Sequence, residues 1–411
     1  MRAEIISVGT ELVRGELVDT NSAFLARELG ELGIETVRHV TVGDDEEALA
    51  AAIGEVAAKS DLAIITGGLG PTPDDITRQA VARAAGAALV PDPASLVYIE
   101  GLFKSWGRAM NPANAVQADF PAGATVIFNP RGTAPGFRMR ICRSEVVVLP
   151  GVPSEMKAMW AETVRPYLAG KGGGVFVTRT LNCFGRGESD VTEAVRDLMA
   201  PGRNPLVGDT AEDAVIKLRI RAHAATVEEA LTLIAATKAE ARRRLGTIVF
   251  GEDDDTLESV VANLLISRRL KLAVAESCTG GLVSKRLTDI SGVSAAFIQG
   301  IVPYADEAKV KLLGVPRALL DEHGAVSAEV ARAMAEGERR SAATDFGLSV
   351  TGIAGPTGGT PLKPVGLVYI AVASARGTKA RELRLRGTRD QVRDRSAKNA
   401  LDMLRLEIIA A

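Results

Sequence analysis

Two stretches of this chain bring hydroxyl, acidic and basic side chains next to runs of glycine. The later one reads Ala275-Glu276-Ser277-Cys278-Thr279-Gly280-Gly281-Leu282 and joins a predicted strand to a predicted helix. A hydroxyl placed there sits at the mouth of a sheet, beside the first free N–H groups of the helix. Such groups hold a phosphate or a developing oxyanion, though not both at one point. G-x-S-x-G is absent, and the only histidine of this region, His323, has nothing tying it to the site, so a Ser–His–Asp triad fits poorly. Tyr304 and Lys309 follow the next apolar stretch. A lysine amine, with an ordinary pKa of about 10.4, is a poor base unless burial or neighbouring cations lower it, and desolvation of this kind gives a Ser–Lys hydrolase. Cys278 is the rival nucleophile, intrinsically stronger and also at a helix start, although buried cysteines are commonly small fillers. Spacing alone leaves Ser277, Cys278 or neither as the nucleophile, and leaves Lys309 as base or as surface lysine. The loop Thr351-Gly352-Ile353-Ala354-Gly355-Pro356 is a second close-approach turn, suited to ribose, phosphate or amide recognition. Arg389, or equally Arg393, offers a bidentate phosphate contact.

The earlier stretch is Thr66-Gly67-Gly68-Leu69-Gly70-Pro71-Thr72-Pro73-Asp74-Asp75. Glycines at a strand–helix turn free backbone N–H groups for phosphate oxygens. Asp74 and Asp75 would repel a phosphate directly. They make sense if a divalent cation bridges carboxylate and phosphate; the bland alternative is that one of them caps a helix. Gly9-Thr10-Glu11-Leu12 and Gly151-Val152-Pro153-Ser154-Glu155-Met156 also follow apolar strands. Three such turns converge on one crevice. Glu11 is then a second acidic group there, or a plain loop residue, and Asn21 starts the neighbouring helix. No G-x-G-x-x-G fingerprint supports hydride transfer.

The elements that must position these residues are legible from periodicity. Residues 3–8, 36–42, 61–66, 124–128 and 145–149 read as strands. Residues 20–33 read as a helix with Phe24, Leu25, Leu29 and Leu32 on one stripe and Gly33 as the stop; Asp44 and Glu47 suggest a capping box for another. This alternation predicts a doubly wound α/β layer over residues 1–170. Residues 171–251 form a smaller α+β module with strands at 175–180 and 214–220 and a helix from Thr226 and Glu229 to Leu245. Residues 252–411 form a second layered α/β domain, with strands at 271–275, 296–302, 348–353 and 366–373. Asp255 and Glu258 are placed to cap its first helix. Thr388 and Gln391 are placed to cap the last, which carries Leu401, Leu404 and Ile408 on one stripe.

A length of 411 residues fits two to four domains. Lys plus Arg total 49 against 51 for Asp plus Glu, and this balance argues against a general nucleic-acid surface. Three cysteines in no zinc pattern, an N-terminus that enters a strand at once and no long apolar run predict a soluble protein of a reducing, cytoplasmic compartment.

Taken together, GTEL, TGGLGPTPDDIT, GVPSEM, AESCTGGL, YADEAK, GAVS, TGIAGPTGG and GTRDQVR, in this order, resemble the CinA family over essentially the whole chain. The resemblance implies a molybdopterin-binding-like first domain, a KH-like middle module and a C-terminal nicotinamide-nucleotide amidohydrolase domain. The activity it implies is hydrolysis of nicotinamide mononucleotide to nicotinate mononucleotide and ammonia. Ser277 maps to the nucleophile, Lys309 to its assisting base and Tyr304 to the family's tyrosine. Cys278, Thr279, Gly280, Gly281, Thr351, Gly352, Gly355 and Arg389 fall in the pocket, and no cofactor is required there. It also implies, in some members, a metal-dependent ADP-ribose pyrophosphatase at the first site. Gly67, Gly68, Gly70, Thr72, Glu11 and Asn21 would then hold substrate, and Asp74 and Asp75 the divalent metal. A homodimer is implied as well. The competing readings are ADP-ribose hydrolysis as the sole activity, and a non-enzymatic pterin-binding or DNA-uptake accessory protein. The middle module lacks the G-x-x-G loop of a nucleic-acid clamp, since Gly185-Arg186-Gly187-Glu188 is not that motif.

Overall fold

A computed structural model describes residues 1–411. The chain divides into two compact bodies, residues 1–177 with 222–233 and residues 178–221 with 234–411. Most of the middle module thus falls within the second body.

The first body is built from β1 (Arg2–Val8), α1 (Thr10–Val13), α2 (Thr20–Glu31), β2 (Glu35–Val42), α3 (Glu46–Lys59), β3 (Leu62–Thr66), α4 (Thr77–Ala85), β4 (Leu89–Pro91), α5 (Pro93–Ser105), β5 (Asp119–Pro121), β6 (Thr125–Ile127), β7 (Gly136–Ile141), β8 (Ser144–Leu149), α6 (Pro153–Met159) and α7 (Arg165–Leu168). Its main sheet runs β2-β1-β3-β8-β7-β6. The first four strands pair in parallel and the last two join through antiparallel pairs, so the sheet is mixed. Alternation along β1 and β3 explains the layering. Ile6, Val8, Ala63 and Ile65 enter the core on one face, and Ala3, Ile5, Leu62 and Ile64 enter that on the other. The helix cap assigned to Asp44 belongs to Asp45, whose carboxylate accepts from the Ala48 N–H. Asp44 instead accepts from the Thr10 N–H at 3.0 Å, across to the neighbouring turn.

The chain continues through β9 (Val175–Cys183), α8 (Glu188–Val195), β10 (Leu206–Glu212), β11 (Val215–Ala224), α9 (Val227–Leu245) and β12 (Val249–Glu252), with sheet order β10-β11-β9-β12. The C-terminal part follows with α10 (Leu257–Ser267), β13 (Leu272–Glu276), α11 (Leu282–Thr288), β14 (Phe297–Ile301), α12 (Asp306–Leu313), α13 (Arg317–His323), α14 (Ala328–Ser341), β15 (Phe346–Gly352), β16 (Leu367–Ser374), β17 (Gly377–Arg384) and α15 (Arg389–Ile409). Its sheet order is β14-β13-β15-β16-β17, the first three parallel and the last two antiparallel. Leu272, Val274, Leu348, Val350, Ile370 and Val372 face one core, which α15 closes with Leu401, Leu404 and Ile408. On the other face Ala371 and Ala373 meet Ala331 and Ala335, so small side chains let α14 lie close on the sheet. Thr388 and Gln391 form the expected reciprocal capping box of α15. The cap of α10 is Thr256 with Ser259, and not Asp255 with Glu258, because Asp255 turns back to accept the Glu252 N–H at 2.9 Å. No helix is long and apolar enough to cross a membrane.

Candidate active sites

In the second body, Ser277 follows β13, the strand flanked by β14 on one side and β15 on the other. Ala275 pairs with Ile301 and Glu276 with Val350, so Ser277, Tyr304 and Thr351 leave three adjacent parallel strands at one edge. That edge is where open α/β sheets place ligands. The Ser277 N–H donates to the Val350 carbonyl at 2.9 Å, which pins the start of the loop. Lys309 lies on α12, one turn after Tyr304, and is 1% exposed. Its Nζ donates to the Tyr304 carbonyl at 3.0 Å and sits 3.5 Å from an Asp306 carboxylate oxygen. It is not the surface lysine that spacing alone also allowed.

The loop itself is held by a residue that motif reading passed over. Glu276 is fully buried. Its carboxylate accepts the Val283 N–H at 3.0 Å, the Ser284 N–H at 2.8 Å and the Ser284 hydroxyl at 2.7 Å. It therefore takes up the first-turn donors of α11 that were expected to face a ligand. In the turn before it, Thr279 is wholly buried and the Gly280 N–H donates to the Ser277 carbonyl at 3.0 Å, which leaves Gly281 as the donor for a ligand. Gly281 has φ +92°, a left-handed conformation costly for any side chain-bearing residue. Such a glycine lets the turn present backbone N–H groups outward.

Cys278 belongs to the hydrophobic core and is 5% exposed. Burial pushes its thiol up to about 12, with the nearby Glu276 adding to the effect and Arg393 and Arg389 opposing it. A thiol in that state supplies almost no thiolate near neutral pH, which together with its burial fits a core filler. Thr279 is buried too, and its hydroxyl has no partner.

Both arginines are at this edge. Arg389 donates to the Gly355 carbonyl at 2.6 Å and lies 3.5 Å from the Tyr304 hydroxyl. Arg393 donates to the Thr279 carbonyl at 2.8 Å. The two thus clasp the Gly355 and Ser277 loops from the same helix. Tyr304 is 60% exposed, free to meet a ligand. Thr351 donates its hydroxyl to the Ala325 carbonyl at 2.8 Å, so it joins GAVS to the edge and does not offer that hydrogen to a ligand. Gly352 ends β15 against Val368, and Gly280 leaves room beside Arg393.

In the first body, three turns meet. A Cβ on Gly67 would stand 2.3 Å from the Val8 carbonyl oxygen, and Gly67 has φ +108°, so only glycine fits there. Gly151 lies against Gly67, and Asn21 donates to the Gly151 carbonyl at 2.8 Å and to the Thr66 hydroxyl at 3.1 Å. The amide oxygen of Asn21 is buried without a partner. Gly68 packs on Thr77, whose hydroxyl donates to the Gly67 carbonyl at 2.8 Å. Arg78, which sequence reading missed, is 1% exposed and donates to the Leu69 and Gly70 carbonyls at 2.8 and 2.7 Å, bracing the loop from beneath.

The two aspartates differ. Asp75 accepts the Gly70 N–H at 2.7 Å on one oxygen, and the Thr72 N–H at 2.9 Å and hydroxyl on the other. It staples the loop; it is neither a helix cap nor a free ligand. Asp74 is solvent-facing, its carboxyl held below the usual range by the Thr72 hydroxyl and its own N–H. Glu11 is exposed, with its carboxylate folded over Gly9. No three Asp, Glu, His or Cys side chains converge as a metal-holding group. The residues present do not fit a preformed metal site at Asp74 and Asp75, because the better placed carboxylate is already satisfied by its own loop.

Residues 254–408 match the family described as the CinA C-terminal domain, residues 4–170 a "Probable molybdopterin binding domain" and residues 178–251 the damage-inducible protein CinA KH domain. A CinA-like protein of Geobacter sulfurreducens is 46% identical over 413 residues, covering all of both chains. Among solved structures, a competence/damage inducible protein CihA from Agrobacterium tumefaciens is 37% identical and covers 38% of this chain and 97% of its own, with a TM-score of 0.36. The protein CinA from Thermoplasma acidophilum is 36% identical and covers 40% and 96%, with a TM-score of 0.38. On full-length identity with its relatives, the chain belongs to the CinA family of competence- and damage-inducible proteins.

Proposed function

We propose that the Ser277 edge hydrolyses the carboxamide of nicotinamide mononucleotide, giving nicotinate mononucleotide and ammonia. The observation that carries this reading is the buried amine of Lys309, one turn beyond Tyr304, on the strand connection next to the one that bears Ser277. Ser277 Oγ attacks the carboxamide carbon while the Lys309 amine takes its proton. The carbonyl electron pair moves to oxygen, where the Gly281 N–H stabilises it. The C–N bond then breaks, and nitrogen leaves as ammonia with the proton Lys309 returns. Water, deprotonated by the same amine, hydrolyses the ester and frees Ser277. The cationic pyridinium withdraws electrons from the carboxamide and compensates for a modest nucleophile. Arg389 and Arg393 supply positive charge for the phosphate. The test is ammonia release from the mononucleotide by full-length Ser277→Ala and Lys309→Ala proteins. Both should lose turnover by about a thousandfold or more. Full turnover by Ser277→Ala overturns the mechanism.

A second reading concerns the first body, where the unpartnered Asn21 oxygen among three convergent turns favours a bound nucleotide or pterin. Hydrolysis of ADP-ribose there remains a proposal without a derived metal step. Turnover that persists in chelator and in Asp74→Ala separates metal-free from metal-assisted chemistry.

A further inference from the structure

A cavity of about 400 Å³ opens in the second body between the β10–β11 hairpin, the turn after β12 and helix α11, and it shares no lining residue with the Ser277 edge. Six carboxylates line it against three cationic side chains. Those cations are matched already: Lys217 with Glu212 at 2.8 Å, Lys398 with Asp394 at 3.0 Å, and Arg286 with both Asp394 and Glu258. Asp213, on the β10–β11 hairpin, and Asp254 and Asp255, on the turn after β12, are exposed and have no cationic partner.

A second, independent feature marks the wall. Asn182 is 1% exposed and lines this cavity. Its Nδ2 donates to the carbonyls of Asp253 at 3.1 Å and Asp255 at 3.0 Å, which fixes the amide's orientation. Its Oδ1 is buried and has no donor. An acceptor left in that state is one that an N–H donor from a ligand would satisfy. Excess negative charge repels phosphates and carboxylates. No three acidic groups converge to grip a bare metal ion. What remains is an extended organic cation with N–H donors spaced along its length, of a size such a cavity accepts.

We propose that this cavity is a binding site for a linear polyamine, with one ammonium on Asn182 Oδ1 and others against Asp213 and Asp254. Calorimetric titration of the full-length protein with spermidine at low salt tests it. One saturable site per chain is expected, weakening steeply as salt is raised. Asp213→Asn/Asp254→Asn, two exposed changes, should melt like the parent and bind on the order of tenfold more weakly or worse. Asn182→Ala should weaken binding on the order of tenfold; if it fails to fold, the surface pair decides alone. Absence of a saturable site in the parent overturns the proposal. So does an unchanged affinity in the surface pair, or a site that takes magnesium with the same variant dependence but not spermidine.

Discussion

Ser284 offers both its N–H and its hydroxyl to one carboxylate oxygen of Glu276, at 2.8 and 2.7 Å, directly behind the loop that carries Ser277. Removing that carboxylate leaves the first-turn donors of α11 unsatisfied in the interior. Glu276→Ala should cost about 2–4 kcal/mol in denaturant unfolding and lower turnover even where the protein stays folded. Ser284→Ala should cost about 1 kcal/mol and lower turnover less. Parent-like stability in Glu276→Ala would show that the carboxylate does not hold the loop.

Glu338 on α14 is wholly buried, and neither of its carboxylate oxygens finds a partner. The Gln299 amide close by donates to Ser341 instead. Burial pushes its carboxyl up to about 7. A carboxyl raised above its unfolded value contributes fully at low pH, below about 4.5, and that contribution is lost as pH rises through about 7. Glu338→Gln should therefore melt close to the parent near pH 5 and several degrees above it near pH 8, a difference of a few kcal/mol. Parallel melting curves across that range would contradict this.

Asp75 and Asp74 should separate cleanly. Asp75→Ala releases the donors of Gly70 and Thr72 and should cost about 1–3 kcal/mol in stability. Asp74→Ala, on the surface, should stay within about half a kcal/mol of the parent. Equal melting temperatures for the two variants would refute the staple.

Of the three cysteines, Cys142 is exposed, while burial pushes the Cys183 and Cys278 thiols up to about 12. A thiol reagent at neutral pH should titrate one thiol quickly in the folded protein and three after denaturation. Fast modification of Cys278, located by peptide mapping, would reopen its role as nucleophile.

The sequence made the alternating layers legible because buried parallel strands such as Leu62–Thr66 are nearly all apolar and end at glycine turns. It also brought out Ser277 and Lys309, because hydroxyl and amine fall at successive strand ends. The antiparallel members stayed hidden. β17, with five of its eight residues exposed, carries no apolar run, and β7 mixes Arg138 and Arg140 into its length. Glu276 and Arg78 were missed for a related reason: each satisfies backbone atoms of a loop whose shape cannot be read before folding. The staple made by Asp75 is hidden in the sequence, because an acidic residue next to glycines looks the same as a ligand or as a staple until its hydrogen bonds are seen.

Strand β13 is paired along both flanks, and Ser277 leaves its end. Its amides should exchange with solvent only when the entire body opens. Ser277 is thus anchored to the slowest-opening part of its body, and on the proposed reading heat should abolish turnover and structure in one step, without a folded but idle form between them.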